Sequence, residues 1–317
     1  MHARHSAATA VEIAGVTKSF RTVTAVELLS LTIPRGSVYG FIGPNGSGKT
    51  TTMRMIANIL YSDSGSIRVF GEERSGVRAA DIGYLPEERG VYRKMSVKAL
   101  LRFHAELHGG RRMRTKVGAW LERLGLERWA DSKVESLSKG MSQKVQFIAA
   151  VVHEPKLVIL DEPFSGLDPV SADSIRSAIL DMRNAGCTVI LSTHDMGVAE
   201  KFCDSIFMIF RGRKVLDGTL GNIQSEYGSD TIRVELEDGG DGSTAAGLPG
   251  IAQVKNLGRV LELRMNRGCD PQKVLHALAS RTRLRAFSVV QPSLHDIFVR
   301  IADPQLKAPQ AGDGFHA

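Results

Sequence analysis

Two short stretches of this 317-residue chain carry residue types at spacings that suit work on phosphate. The first is Gly43-Pro44-Asn45-Gly46-Ser47-Gly48-Lys49-Thr50. Glycines at these positions let the backbone curl so that successive N–H groups point inward at phosphate oxygens, and a following helix adds the positive end of its dipole. Lys49 supplies a mobile charge for the β- and γ-phosphates and Thr50 a hydroxyl ligand for Mg²⁺, with Thr51 next to them in the same nucleotide-binding group. The second stretch is Leu157-Val158-Ile159-Leu160-Asp161-Glu162. A carboxylate at the end of a wholly apolar strand is costly to bury, and a magnesium shell would compensate Asp161. Glu162 then stands where it can orient an attacking water and accept its proton.

The elements that must hold these residues form an α/β pattern from Val11 to about Asp217. Strands are expected at Val11 to Val16, Leu28 to Ile33, Val38 to Ile42, Ser66 to Phe70, Ile82 to Leu85, Leu157 to Leu160, Thr188 to Ser192 and Ser205 to Ile209. Most are continuous apolar runs, as in a sheet covered on both faces. Between the Leu85 and Leu157 strands lies a helical subdomain, about 92 to 136. Ser96 caps its first helix, with Val97, Leu100, Leu101, His104 and Leu107 on one stripe up to Gly109-Gly110, and a second helix runs through Trp120, Leu121 and Leu124. The four-residue spacing of His104 and His108 also suits a metal, but His104 belongs to the apolar stripe, so core packing is the expectation.

Beyond 221 the pattern changes to a small α+β domain over 222 to 302, with a loop-rich linker at Asp238 to Gly250 and a flexible tail at 303 to 317. Its strands are expected at Thr231 to Glu237, Ile251 to Asn256, Val260 to Met265 and Arg285 to Val290, and its helices at Pro271 to Ser280 and, from a Ser293 cap, Pro292 to Ile301.

No apolar run reaches the roughly 18 residues of a membrane-spanning helix, so any membrane role is expected to be peripheral. Cys187, Cys203 and Cys269 are far apart in sequence and read as free, buried thiols of a cytoplasmic protein. The balance of 41 Lys+Arg against 34 Asp+Glu gives +7, dispersed along the chain, which reads as a solvated face rather than a nucleic-acid site.

Further segments complete a resemblance to the ABC ATPases. Leu137-Ser138-Lys139-Gly140-Met141 resembles their signature, with Gln143 and Lys144 after it; Phe164-Ser165-Gly166-Leu167-Asp168-Pro169 resembles the D-loop; and Ser192-Thr193-His194-Asp195 resembles the switch histidine segment. Ser138 and the Gly140 amide open a helix expected over Lys139 to Val152, a second anion-binding N-terminus. The resemblance implies a P-loop ABC ATPase core of mixed sheet and helices. It also implies that His194 contacts the γ-phosphate and the water, that Phe20 stacks on adenine, and that Asp168 belongs to the nucleotide-binding set. Two departures stand out. Glu87 occupies the place of the glutamine that reaches Mg²⁺ and the water, and Lys139 replaces a glycine and so adds a cation for phosphate.

Tyr84-Leu85-Pro86-Glu87-Glu88-Arg89-Gly90-Val91-Tyr92, the signature variant and the appended domain are most similar to bacterial exporter ATPases of the sodium-efflux type. This resemblance implies ATP and Mg²⁺ as cofactors and a homodimer closing head to tail on two ATP molecules. It further implies a separate transmembrane permease as partner and a place on the inner face of the cell membrane. Lys49, Glu162 and His194 are the residues implied to carry hydrolysis, with Thr50, Asp161 and Glu87 as the metal set. The alternative is a soluble ABC ATPase acting on ribosomes or nucleic acid, which usually carries two cassettes or a long coiled coil.

Overall fold

The computed structural model describes residues 9–302 except 89, 91, 228–230, 238–244, 246 and 267. The expected tail and most of the expected linker, like the first eight residues, lie outside the described residues. The chain divides into two compact units between Thr219 and Leu220.

The first unit opens with β1 (Thr9–Phe20), β2 (Val23–Pro34) and β3 (Val38–Ile42), then α1 (Lys49–Ile56), β4 (Ser64–Val69), β5 (Glu72–Glu73) and β6 (Ile82–Leu85). The helical insert follows, with α2 (Val97–Gly109) and α3 (Lys116–Arg123), and then α4 (Lys139–Val151). The unit closes with β7 (Leu157–Leu160), α5 (Pro169–Asn184), β8 (Thr188–Thr193), α6 (Met196–Phe202), β9 (Ser205–Phe210) and β10 (Arg213–Gly218).

These strands form two sheets. The central one has the order β10-β9-β3-β8-β7-β6 and is parallel except where β10 turns back on β9. All residues of β3, β7 and β8 are buried, which is why they read as unbroken apolar runs. The other sheet, β2-β1-β4-β5, is antiparallel. The Val11, Leu28 and Ser66 segments lie here and not in the doubly covered sheet: in β1, Ile13 is buried while Glu12 and Ala14 face out. Leu28, the first residue of an expected strand, is 72% exposed. The register between β1 and β2 slips beside it, and its φ of 46° turns its side chain away from the core.

In the helical insert, the Ser96 hydroxyl accepts the Ala99 N–H at 3.3 Å, and Leu100, Leu101 and Ala105 join a core with Val145 and Phe147. The expected stripe is shifted: Leu107 is exposed, and His104 is only half-buried. His108 lies between His104 and the buried His153, its ring 4.9 Å from that of His153. His153 Nε2 donates to the Ile82 carbonyl at 3.3 Å, and burial brings its pKa down to about 4.

Cys187 is buried, whereas Cys203 and Cys269 are half-buried, and all three are free. They flank helices and strands rather than lying within them. Burial pushes the Cys187 and Cys203 thiols up to about 12, the condition of inert packing groups.

The second unit comprises α7 (Leu220–Tyr227), β11 (Thr231–Leu236), β12 (Ile251–Asn256), β13 (Val260–Met265), α8 (Pro271–Ala279), β14 (Leu284–Val290) and α9 (Leu294–Ala302). Its antiparallel sheet has the order β12-β13-β11-β14. Ile232, Val234, Leu261 and Leu263 of the sheet pack with Val274 and Leu278 of α8. At the start of α9 the Ser293 hydroxyl accepts the Asp296 N–H at 3.1 Å, while the Asp296 carboxylate accepts the Ser293 N–H at 3.2 Å. The strands β5 and β10 and the helix α7 have no counterpart in the sequence reading, being short or polar. β10 is recognisable only through its pairing with β9.

Candidate nucleotide site

The first cluster stands at the carboxyl ends of β3, β7 and β8, where an open parallel sheet leaves its crevice. The turn from β3 into α1 depends on backbone that only glycine tolerates. Gly43 has a φ of 146°, and a Cβ there would lie 2.3 Å from the Ile209 carbonyl oxygen. Gly48 has a φ of 112° and the Ala25 carbonyl 2.5 Å from the same point. Lys49 folds back over the loop, its Nζ donating to the carbonyls of Gly43 at 2.7 Å and Pro44 at 3.1 Å. Burial pulls its pKa down, opposed by the charges of Glu162, Asp161 and Glu87.

Asp161 and Glu162 are held from the neighbouring strand. The Ser192 hydroxyl donates to Asp161 Oδ1 at 2.5 Å and accepts the Glu162 N–H at 2.9 Å. Leu160 and Leu191 pair in parallel register, which puts the next residues of β7 and β8 side by side. Ser192 is the functional residue that sequence reasoning missed; its one signal is a hydroxyl at the end of an apolar run. Glu162 has a φ of 50°, the left-handed region a side chain rarely adopts, at a sharp turn beyond the strand. Its Oε1 is 3.0 Å from His194 Nδ1.

A cavity of about 400 Å³ collects Phe20, Ala25, Asn45, Gly46, Ser47, Gly48, Lys49, Thr50, Thr51, Glu87, Asp161 and Glu162. Phe20 lies at the rim, 47% exposed, with the Lys18 Nζ 5.5 Å from its ring centre. Gly43 and Pro44 act through the carbonyls that hold Lys49, and His194 through Glu162. Ala25, on β2, was not anticipated. Two polar atoms here are buried without a partner, Ser47 Oγ and Asp161 Oδ2. Such atoms are costly unless a ligand satisfies them, and their chemistry, with the Thr50 hydroxyl beside them, fits phosphate and a hard divalent cation.

The second cluster is built separately. Ser138 caps α4, its hydroxyl accepting the Met141 N–H at 3.3 Å. Asp168 caps α5, accepting the Ser171 N–H at 2.9 Å, and these bonds hold its carboxyl below the usual carboxylate range. Gly140 packs near Leu167 and Asp168, and Lys139 lies beside Gly166. Buried Gln143 donates to the Pro163 carbonyl at 3.4 Å, joining α4 to the loop that follows Glu162. Ser138, Lys139, Gly140 and Asp168 do not line the cavity of the phosphate loop. One chain therefore displays two separate clusters.

The comparisons agree with this architecture. Residues 26–165 match the family model described as "ABC transporter", and residues 218–302 match "ATP-binding protein DrrA1-3-like, C-terminal domain". The chain is 32% identical to the daunorubicin/doxorubicin resistance ATP-binding protein DrrA of Streptomyces peucetius, over 92% of each chain. It is also 32% identical to the Nod factor export ATP-binding protein I of Rhizobium sp. (strain N33), covering 94% of this chain and 98% of the relative. A solved ATP-binding subunit of an ABC transporter is similar at 30% identity and a TM-score of 0.65, over 69% of this chain and 93% of that one. The chain belongs to the ABC transporter ATP-binding proteins: it is the ATP-binding, ATP-hydrolysing subunit of a transporter. Its fold is the expected mixed α/β cassette. Among the described residues, no helix is long and apolar enough to cross a membrane.

Proposed function

We propose that two copies of this chain close head to tail on two ATP molecules and thereby drive export through a separate membrane permease. The observation that carries this reading is the split site: the capped N-terminus of α4 presents Ser138, Lys139 and Gly140 away from the phosphate-loop cavity of the same chain. A second copy would bring these groups to the phosphates, where a helix N-terminus favours negative charge. Phe20 would stack on the adenine ring, and the loop amides and Lys49 would hold the phosphates. Thr50, Asp161 and Glu87 would hold Mg²⁺, which supplies charge neutralisation between the β- and γ-phosphates. Glu162, fixed by Ser192 and His194, would orient the water and take its proton.

The permease would dock on the helical insert and stand on the inner face of the membrane. Tyr92, Phe103 and Leu107 are 61%, 43% and 62% exposed there, with Tyr92 and Phe103 edge to face at 5.9 Å. Apolar side chains exposed together mark an interaction surface. The similarity to a drug-resistance subunit and a Nod factor export subunit supports outward transport. No observation favours the ribosome- or nucleic-acid-directed alternative.

The test is copurification from detergent-solubilised membranes, with Phe103→Asp beside the wild type. A six-helix membrane protein should accompany the wild type and be lost from the variant, while ATP binding persists. Copurification with ribosomes, and with no membrane protein, would overturn the reading.

A further inference from the structure

Four charged side chains line the phosphate-loop cavity: Lys49, Glu87, Asp161 and Glu162. One cation against three carboxylates is a net negative lining for a ligand that is itself a polyanion. Asp161 and Glu162 are engaged by Ser192 and His194, but Glu87 is exposed and has no ion pair or side-chain hydrogen bond among the described residues. Its charge nevertheless acts on the Lys49 ammonium that must meet the phosphates. At the second cluster stands the complementary charge. Lys139 is exposed at the first turn of α4 and likewise has no ion pair among the described residues. Its ammonium lies beside the glycine of the 164–169 loop, where a Cβ on Gly166 would be 2.5 Å from Nζ. Two charges of opposite sign, without an ion pair among the described residues, therefore sit one in the phosphate-loop cavity and one at the start of α4.

We propose that Glu87 and Lys139 are complementary charges that act across the ATP-bound dimer: Glu87 makes the open cavity reject nucleotide that arrives without a divalent cation, and Lys139 of a second copy restores the balance when the two half-sites close. This rests on the head-to-tail reading for Lys139, but not for Glu87, whose effect belongs to the single chain. Neither residue moves a proton or bonds to the reacting phosphorus: Lys139 acts through its charge, and Glu87 through its charge in addition to the cation it would hold. A glutamine at 87 would keep the oxygen that can face a cation while removing the repulsion. A glutamine at 139 would keep the helix turn while removing the attraction.

Two measurements separate the parts. The first is equilibrium binding of ATP to the full chain at low protein concentration, with Mg²⁺ and with EDTA. Glu87→Gln should strengthen binding in EDTA about tenfold, the size of one unit charge acting at several ångströms in a partly solvated site. Its effect in Mg²⁺ should be smaller than in EDTA, so that the ratio of the two affinities shifts, whereas Lys139→Gln, with no second copy bound at this protein concentration, should leave that ratio within about threefold. An unaltered ratio of the two affinities in Glu87→Gln would overturn the role of Glu87, even if dimers form normally.

The second is the ATP-dependent dimer affinity, measured by sedimentation in a Glu162→Gln background for the wild-type pair, each single glutamine variant and the double. Lys139→Gln should weaken the dimer about tenfold when Glu87 is present and less than about threefold when it is glutamine. Strict additivity would overturn the pairing. Absence of any ATP-dependent dimer, with the EDTA effect intact, would instead break the head-to-tail reading and with it the role of Lys139.

Discussion

The phosphate-loop end of the first unit and the sheet of the second unit are built from the same materials with opposite results. In the first, buried strands end in polar groups that the fold leaves unsatisfied or strained: Ser47 Oγ and Asp161 Oδ2 without partners, and Glu162 at a φ of 50°. In the second, β13 alternates buried and half-buried side chains, and charges pair across strands, Arg233 with Glu262 and Arg285 with Glu235. Its helix starts are closed by their own side chains, Asp270 on α8 and Ser293 on α9. Unsatisfied groups have work for a ligand to do; satisfied ones have work only for the fold. The contrast supports a catalytic role for the first unit, and we propose that the second serves assembly or regulation.

The strongest way to break that contrast is Glu162→Gln. Turnover should fall about 10³-fold, the scale of losing a general base, while ATP stays bound and a dimer accumulates on a sizing column. Wild-type turnover in this variant would remove Glu162 from the mechanism. Lys49→Ala should cost at least about 100-fold in ATP affinity, because the loop keeps its amides but loses the charge that opposes the triphosphate. Fluorescent-nucleotide titration checks this. Ser192→Ala sharpens the picture of the strand ends: it frees Asp161 Oδ1 and the Glu162 N–H together, and turnover should fall about tenfold or more with ATP affinity nearly kept. Equal losses in both would make Ser192 a structural residue only.

Smaller effects test the boundaries of the contrast. Acidification should weaken the junction of helical insert and central sheet through His153, whose folded pKa lies near 4 against about 6.5 in the unfolded chain. Between those values the unfolded state binds more protons, so stability is complete above about pH 6.5 and falls as the pH drops towards 4. The loss should approach about 3 kcal/mol, and His153→Gln should flatten this part of the denaturation profile. The smallest expected effect is that of cutting the chain after Gly221. ATP affinity should stay within about threefold of the full chain, while dimer affinity or transport falls. Lost nucleotide binding in a cut protein that remains folded would place part of the site in the second unit.

Much of the candidate site was legible because it is local. The loop at 43–50, the strand at 157–160 with its terminal carboxylates, and the Ser138 and Ser293 caps are each written in consecutive residues, since a turn, a buried strand and a helix cap have short-range causes. Phe20, Glu87, His194 and Asp168 came from resemblance, not from spacing. Ser192 was seen only as a strand end and part of the histidine segment, without its role, and Ala25 was not seen. Ser192 matters through the parallel register of β7 and β8, and Ala25 because β2 brings its carbonyl against the phosphate loop.

The sequence by itself therefore determined which residues can bind phosphate, where the strands β3, β6 and β7 begin and end, and that the chain has an α/β cassette followed by a smaller α+β unit, whereas β1 and β2 run to Thr9–Phe20 and Val23–Pro34, well beyond the expected bounds. Only the tertiary structure decided that β1, β2 and β4 leave the central sheet for one of their own, that Leu28 and Leu107 face outward, and that Ser138, Lys139 and Gly140 stand apart from the cavity of Lys49. The reason is physical: periodicity records how much of a segment is buried, but not which neighbour buries it, and register between strands distant in sequence is set by packing that no local pattern encodes.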